Sequence, residues 1–192
     1  MSSRCSLVIL LVLSLLPAPA RAGISPAEAE KIAKEALYAQ YPELNNPRVK
    51  MLSNAHSDRL MKLVFSNPFS LNGETFWNIN TQYIWYGDPK IQYHYVGGEK
   101  GPQEASSPFE GPVDPAIKAE VVKYLSYLST NGPLDPNLRV AARPVQVYLF
   151  TFYTEDNDPG TSVFKVMGVD DGGQTFHPNP FSTLVPKPWS HP

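Results

Sequence analysis

Apolar residues run almost unbroken through 7–16 and afterwards recur with two periods, near 3.6 in two segments and 2 in most of the remainder. Ala29, Ile32, Ala33, Ala36, Leu37 and Tyr41 share one face at helical spacing, with Glu30 and Lys34 four apart on another. Ser25-Pro26-Ala27-Glu28 opens that segment with a capping hydroxyl, a proline at the first helical position and an acid three residues after the cap. A helix over 26–41 follows, ended by Pro42, and its Ala-rich stripe predicts close packing on a sheet. Asp114-Pro115-Ala116 repeats the opening with Asp as cap, Ile117, Val121, Tyr124, Leu125 and Leu128 supply a second stripe, and Asn131-Gly132-Pro133 stops it.

Between and after the helices the pattern turns to strands, predicted at 48–52, 60–65, 75–86, 90–96, 140–154, 161–169 and 174–177. The third is the clearest, with Trp77, Ile79, Thr81, Tyr83 and Trp85 on one face and Asn78, Asn80 and Gln82 on the other. Gly87-Asp88-Pro89 predicts the turn into the fourth strand, and Asp170-Asp171-Gly172-Gly173 a second hairpin turn. The stretch 147–152 is apolar on both faces, as in a central strand.

Each helix is followed by a Pro-containing stretch and an Arg-Val pair, Arg48-Val49 and Arg139-Val140. The spacing from cap to Val is 24 residues in one half and 26 in the other. The expected fold is therefore α+β, two helix-on-antiparallel-sheet units at 23–96 and 114–177 that read as a divergent duplication. Residues 97–113, rich in Gly, Pro, Ser and charge, form a linker. Residues 178–192 hold five prolines among Phe181, Leu184, Val185 and Trp189, an extended tail that either covers an apolar groove or stays free.

The opening run belongs to an export signal over 1–22: Arg4, the apolar stretch, then Ala20-Arg21-Ala22, which satisfies the small-residue cleavage rule. It is half the ~20 residues needed to span a bilayer, and no second run follows, so no membrane span is expected in the mature chain. The expected location is secreted or periplasmic. The one cysteine, Cys5, lies inside the signal, so the mature chain is cysteine-free and relies on core burial. Loss of Arg4 and Arg21 takes the 16 basic residues to 14 against 18 acidic ones and the net charge from −2 to −4. That balance argues against nucleic acid as a partner.

The segment 24–42, I-S-P-A-E-A-E-K-I-A-K-E-A-L-Y-A-Q-Y-P, resembles the opening helix of PepSY-type modules, small exported domains in which such a helix packs on a short antiparallel sheet. The resemblance implies a regulatory or inhibitory binding module, with protease-related partners a common association of that family. Cystatin-type inhibitors share a helix-plus-sheet architecture and point the same way by analogy.

Catalytic signatures are sparse. There is no mature Cys, no G-x-S-x-G elbow, no H-E-x-x-H and no phosphate-cradling Gly loop. His56, His94, His177 and His191 show no metal-ligand spacing, and Glu155-Asp156-Asn157-Asp158-Pro159-Gly160 starts like a calcium loop but places Met167 where the bidentate Glu belongs. No metal or cofactor is expected, and the chain leans away from being an enzyme. The surplus is aromatic. Trp77, Trp85, Tyr86, Tyr93, His94 and Tyr95 fall on two adjacent strands and form the candidate binding surface for a protein partner. Two alternatives stand beside it: a carrier of a small apolar ligand, and an enzyme of unfamiliar type using Asp156, Asp158 or His177.

Overall fold

The computed structural model describes residues 23–56, 59–87, 93–101, 103–105, 113–154, 164–179 and Leu184. The export signal expected over 1–22, the acidic run 155–160, Asp88 and Pro89 of the expected turn, and most of 178–192 lie outside the described residues.

Helix α1 (Pro26–Gln40) starts as its sequence requires: Ser25 Oγ accepts from the Glu28 amide at 3.2 Å, and Ala29, Ala33 and Leu37 are buried. Glu30 and Lys34 pair on its open side. The strands are β1 (Val49–His56), β2 (Leu60–Leu71), β3 (Glu74–Tyr86), β4 (Tyr93–Lys100), the two-residue β5 (Glu104–Ala105), β6 (Arg139–Pro144), β7 (Val147–Thr154), β8 (Phe164–Asp170) and β9 (Thr175–Pro178), with α2 (Lys118–Ser129) ahead of β6. Mixed helix and antiparallel sheet make this an α+β protein.

The strands pair in the order β1-β7-β8-β9-β4-β3-β2-β6, with β5 beside β3. Read from either end, the order runs through the first strand after one helix, then the second, third and fourth strands of the opposite half. The sheet curls until its halves face each other. Residues of β2 and β8, far apart in the order, meet directly when Lys62 Nζ reaches Asp170 Oδ2 at 2.5 Å.

Among the described residues three apolar clusters result. Leu60, Tyr83, Val96, Val147, Leu149 and Phe176 fill the space between the sheet halves, where Phe176 stacks on Tyr83 with ring centroids 3.9 Å apart. On the outside of one half, α1 covers Tyr148, Phe150, Phe152, Met167 and Val169. On the outside of the other, α2 covers Met61, Leu63, Phe65, Ile84 and Ala142. Strand β7 is apolar on both faces because even-numbered residues face α1 while Val147 and Leu149 face the inner cluster.

Several expectations are corrected. The helix of the first half rests on β7, β8 and β9, strands of the second half, and α2 rests on β2, β3 and β6. The chain does not pass from one self-contained helix-and-sheet unit to another at 97–113. There, residues 97–100 continue β4, Glu104 and Ala105 pair with β3, and Val113 bridges to Ala142. The long strand expected over 140–154 divides after Pro144, which has no N–H to donate; β6 pairs with β2 in one half of the sheet and β7 lies between β1 and β8 in the other. Helix α2 starts at Lys118, later than its Asp114 signal. The Asp114 amide is held by the Ala142 carbonyl at 2.6 Å, so its side chain caps a tight turn, accepting from the Ala116 amide at 2.8 Å.

Candidate functional site

The hairpin of β3 and β4 brings Tyr86 opposite Tyr93 and Ile84 opposite Tyr95, with an irregularity in register at Val96. Tyr86, Tyr93 and Tyr95 fall on the outer face of the sheet, where α2 lies. Helix α2 contributes Tyr124 and Tyr127, three residues apart and hence neighbours on its surface. The rings interlock: Tyr93 to Tyr124 is 4.9 Å between centroids, Tyr93 to Tyr127 5.5 Å and Tyr124 to Tyr127 6.3 Å. Tyr124 donates to Gln82 Oε1 at 3.2 Å. Tyr95 is 45% exposed, Tyr127 43% and Val122, on the same helix, 56%.

Burial pushes the Tyr124 phenol up to about 12, helped by Tyr127, Tyr95 and Tyr93. Burial and the Glu120 carboxylate raise Tyr86 and Tyr93, and burial with Glu99 raises Tyr95. Around neutral pH these phenols keep their protons, so the patch presents ring faces and O–H groups, with the Glu120–Lys123 ion pair (2.7 Å) at its rim.

Compared with protein family models, curated proteins and solved structures, the chain matches none.

The remaining aromatics proposed for this surface go elsewhere. Trp85 packs against the inner cluster, and His94 stands opposite it in register. Trp77 is buried at the far end of the same inner face, under the Arg139 guanidinium at 4.9 Å from the ring centre, beside a cleft of about 330 Å³ lined by Pro68, Pro136 and Leu138. The period-2 alternation of β3 accounts for the split, since odd positions face inward and even ones outward. In the sequence Tyr124 belongs to the apolar stripe of the second helix, and Tyr127 lies off that stripe. The Tyr-x-x-Tyr spacing was the available signal, but which strand it would meet depends on how the halves cross.

A second polar cluster lies between the sheet halves. Asp170, with no exposed surface, accepts at Oδ1 from the amides of Gly172 (2.9 Å) and Gln174 (2.8 Å), and at Oδ2 from Lys62 (2.5 Å) and Tyr83 (3.2 Å). Asp171 takes the Arg143 fork at 2.6 and 3.0 Å. Burial opposes ionisation of Asp170, but the Lys62 ammonium and the two amides outweigh it and hold the carboxyl below its ordinary value. Burial and the Asp170 charge push Tyr83 far up, and the hydrogen bond to Asp171 raises Arg143. With its oxygens engaged by four donors, Asp170 is a structural tie between β2, β3 and the β8–β9 turn, with no lone pair directed at a substrate.

His177 Nε2 lies 3.4 Å from Glu99 Oε1, and His56 Nε2 donates to the Leu184 carbonyl at 2.9 Å. Among the described residues, no three His, Cys, Asp or Glu side chains stand close enough to hold a metal ion, and no helix is long and apolar enough to cross a membrane. Asp156, Asp158 and His191 lie outside the described residues.

Proposed function

We propose that this chain is an exported, non-catalytic binding module that holds a protein partner on the tyrosine surface formed by β3, β4 and α2. The observation behind it is the interlocked Tyr93–Tyr124–Tyr127 cluster with Tyr95 and Tyr127 each more than two-fifths exposed. Rigid amphipathic rings present large area at low entropic cost, the composition enriched where proteins meet. The leader over 1–22 puts the partner in the envelope or outside the cell, and the PepSY-like opening helix agrees with a regulatory or inhibitory role.

The architecture supports a divergent duplication as its origin. Matching β1 with β6, β2 with β7, β3 with β8 and β4 with β9 converts the strand order into its own reverse. Each half then lends its helix and first strand to the other.

The test uses the mature chain, 23–192, as bait in envelope and medium of its source, beside the Tyr95→Ala/Tyr127→Ala variant. A stoichiometric partner on the wild type should be weakened by about 2 kcal/mol per anchor residue in the variant, with the melting temperature unchanged. Equal capture by both chains removes the site, and a co-purified small molecule in place of a protein replaces this proposal with the ligand carrier.

A further inference from the structure

The tyrosine surface is rich in one kind of polar group. Tyr124 commits its hydroxyl to Gln82, but among the described residues the hydroxyls of Tyr86, Tyr93, Tyr95 and Tyr127 have no protein partner. The rings are held in place by one another: Tyr93 stands edge-on to Tyr124 with planes 63° apart, and at 45° to Tyr127. The Tyr95 hydroxyl lies over Gly98, where a Cβ would stand 2.9 Å from it, so the glycine makes room for it. Four phenols therefore present ring faces with an O–H group at the end of each, and each O–H calls for an acceptor.

Peptide partners meet such a surface as a strand, a helix or a polyproline II segment. A strand takes its hydrogen bonds from a sheet edge, whereas these rings stand on the outer face of the sheet and on α2. A helix has most of its carbonyls engaged internally and leaves the phenols without backbone acceptors. A polyproline II segment keeps every carbonyl open, carries few N–H groups, and offers pyrrolidine rings to pack on aromatic faces.

We propose that the partner held on this surface is a proline-rich segment in the polyproline II conformation, with a Lys or Arg beside its prolines. The proposal names a partner class for the surface assigned above and rests on that assignment. Charge agrees with it. The Glu120 carboxylate acts on Tyr86 and Tyr93, and the Glu99 carboxylate on Tyr95. Glu120 is paired with Lys123 at 2.7 Å, whereas among the described residues Glu99 has the His177 imidazole, at 3.4 Å, and no Lys or Arg in ion-pair reach. A cation on the partner complements Glu99, and the excess of acidic over basic residues in 23–192 favours its approach.

Isothermal titration of the mature chain 23–192 tests it with three acetylated, amidated peptides: Pro-Pro-Leu-Pro-Pro-Arg, the same with Ala for every Pro, and the same with Glu for Arg. The first should bind roughly tenfold tighter than either of the others. Tyr95→Phe/Tyr127→Phe keeps the rings and removes two donors, and should weaken the first peptide roughly tenfold. Equal binding of the first peptide and either of the others, or an unchanged affinity in the Phe variant, overturns the proposal. If no peptide binds while Tyr95→Ala/Tyr127→Ala still loses the captured protein, the tyrosine surface stands and the proline-rich partner is overturned. If the first peptide binds wild type and Tyr95→Ala/Tyr127→Ala equally, the surface itself is overturned.

Discussion

A carboxylate with no contact to water stays ionised only where donors replace its hydration, and Asp170 has four of them. Its folded pKa is below the unfolded one, so the stability contributed by the charged form is complete above the unfolded value of 3.8 and is lost as pH falls through the folded value. Lys62→Met leaves that charge buried without its main counter-ion. The expected loss is about 3–5 kcal/mol in urea unfolding at pH 7. The acid limb of the variant should also begin at higher pH, because Asp170 without Lys62 titrates higher. A loss below about 1 kcal/mol with an unmoved acid limb would show that the tie does not hold the halves. The run Asp170-Asp171-Gly172-Gly173 was legible as turn chemistry. Its ionic role was not, because both counter-ions come from strands on the opposite half of the sheet, Lys62 on β2 and Arg143 on β6.

Two glycines separate local from non-local demands on the strands. Gly73 follows Asn72 at the tip of the β2–β3 hairpin with φ values of 82° and 53°, the left-handed pair of a type I′ turn. A Cβ on Gly73 would meet nothing within 4 Å, so Gly73→Ala should cost about 1 kcal/mol through backbone conformation alone. On Gly168, a Cβ would lie 2.3 Å from the ring of Phe176, itself stacked on Tyr83 in the buried layer. Gly168→Ala should therefore cost more, about 3 kcal/mol. Chemical denaturation of the two variants checks the order, and a reversed order would contradict the packing of the inner layer. The Asn72-Gly73 pair is a hairpin signal in the sequence and explains why β2 and β3 run on past 65 and before 75, although the apolar pattern of β2 ends at Phe65. The polar stretch Ser66-Asn67-Pro68 hid the continuation, which backbone pairing with β3 sustains at the end of the ladder.

At the scale of the molecule, each helix lies on strands of the other half. Cut at the connection, residues 23–105 would expose the stripe Ala29, Ala33 and Leu37, and residues 113–192 would expose the outer face of β7. Neither piece should unfold cooperatively by circular dichroism, whereas the two mixed should regain a single transition. A cooperative transition in either piece alone would show that it folds without the exchange. Both helices, most strand positions and the α+β class were readable from period and caps, since a 3.6 or 2 repeat and a capping hydroxyl act over a few residues. Local sequence also determined the burial of β7 on both faces and the separation of Trp77 and Trp85 from Tyr86. What only the tertiary structure decided is partnership: which sheet half each helix covers, that Tyr124 and Tyr127 complete the tyrosine surface, and that Lys62 neutralises Asp170 across 108 residues of chain. Periodicity records which face of an element is apolar, but the surface that covers it depends on long-range pairing between strands that carry no mark of their neighbours.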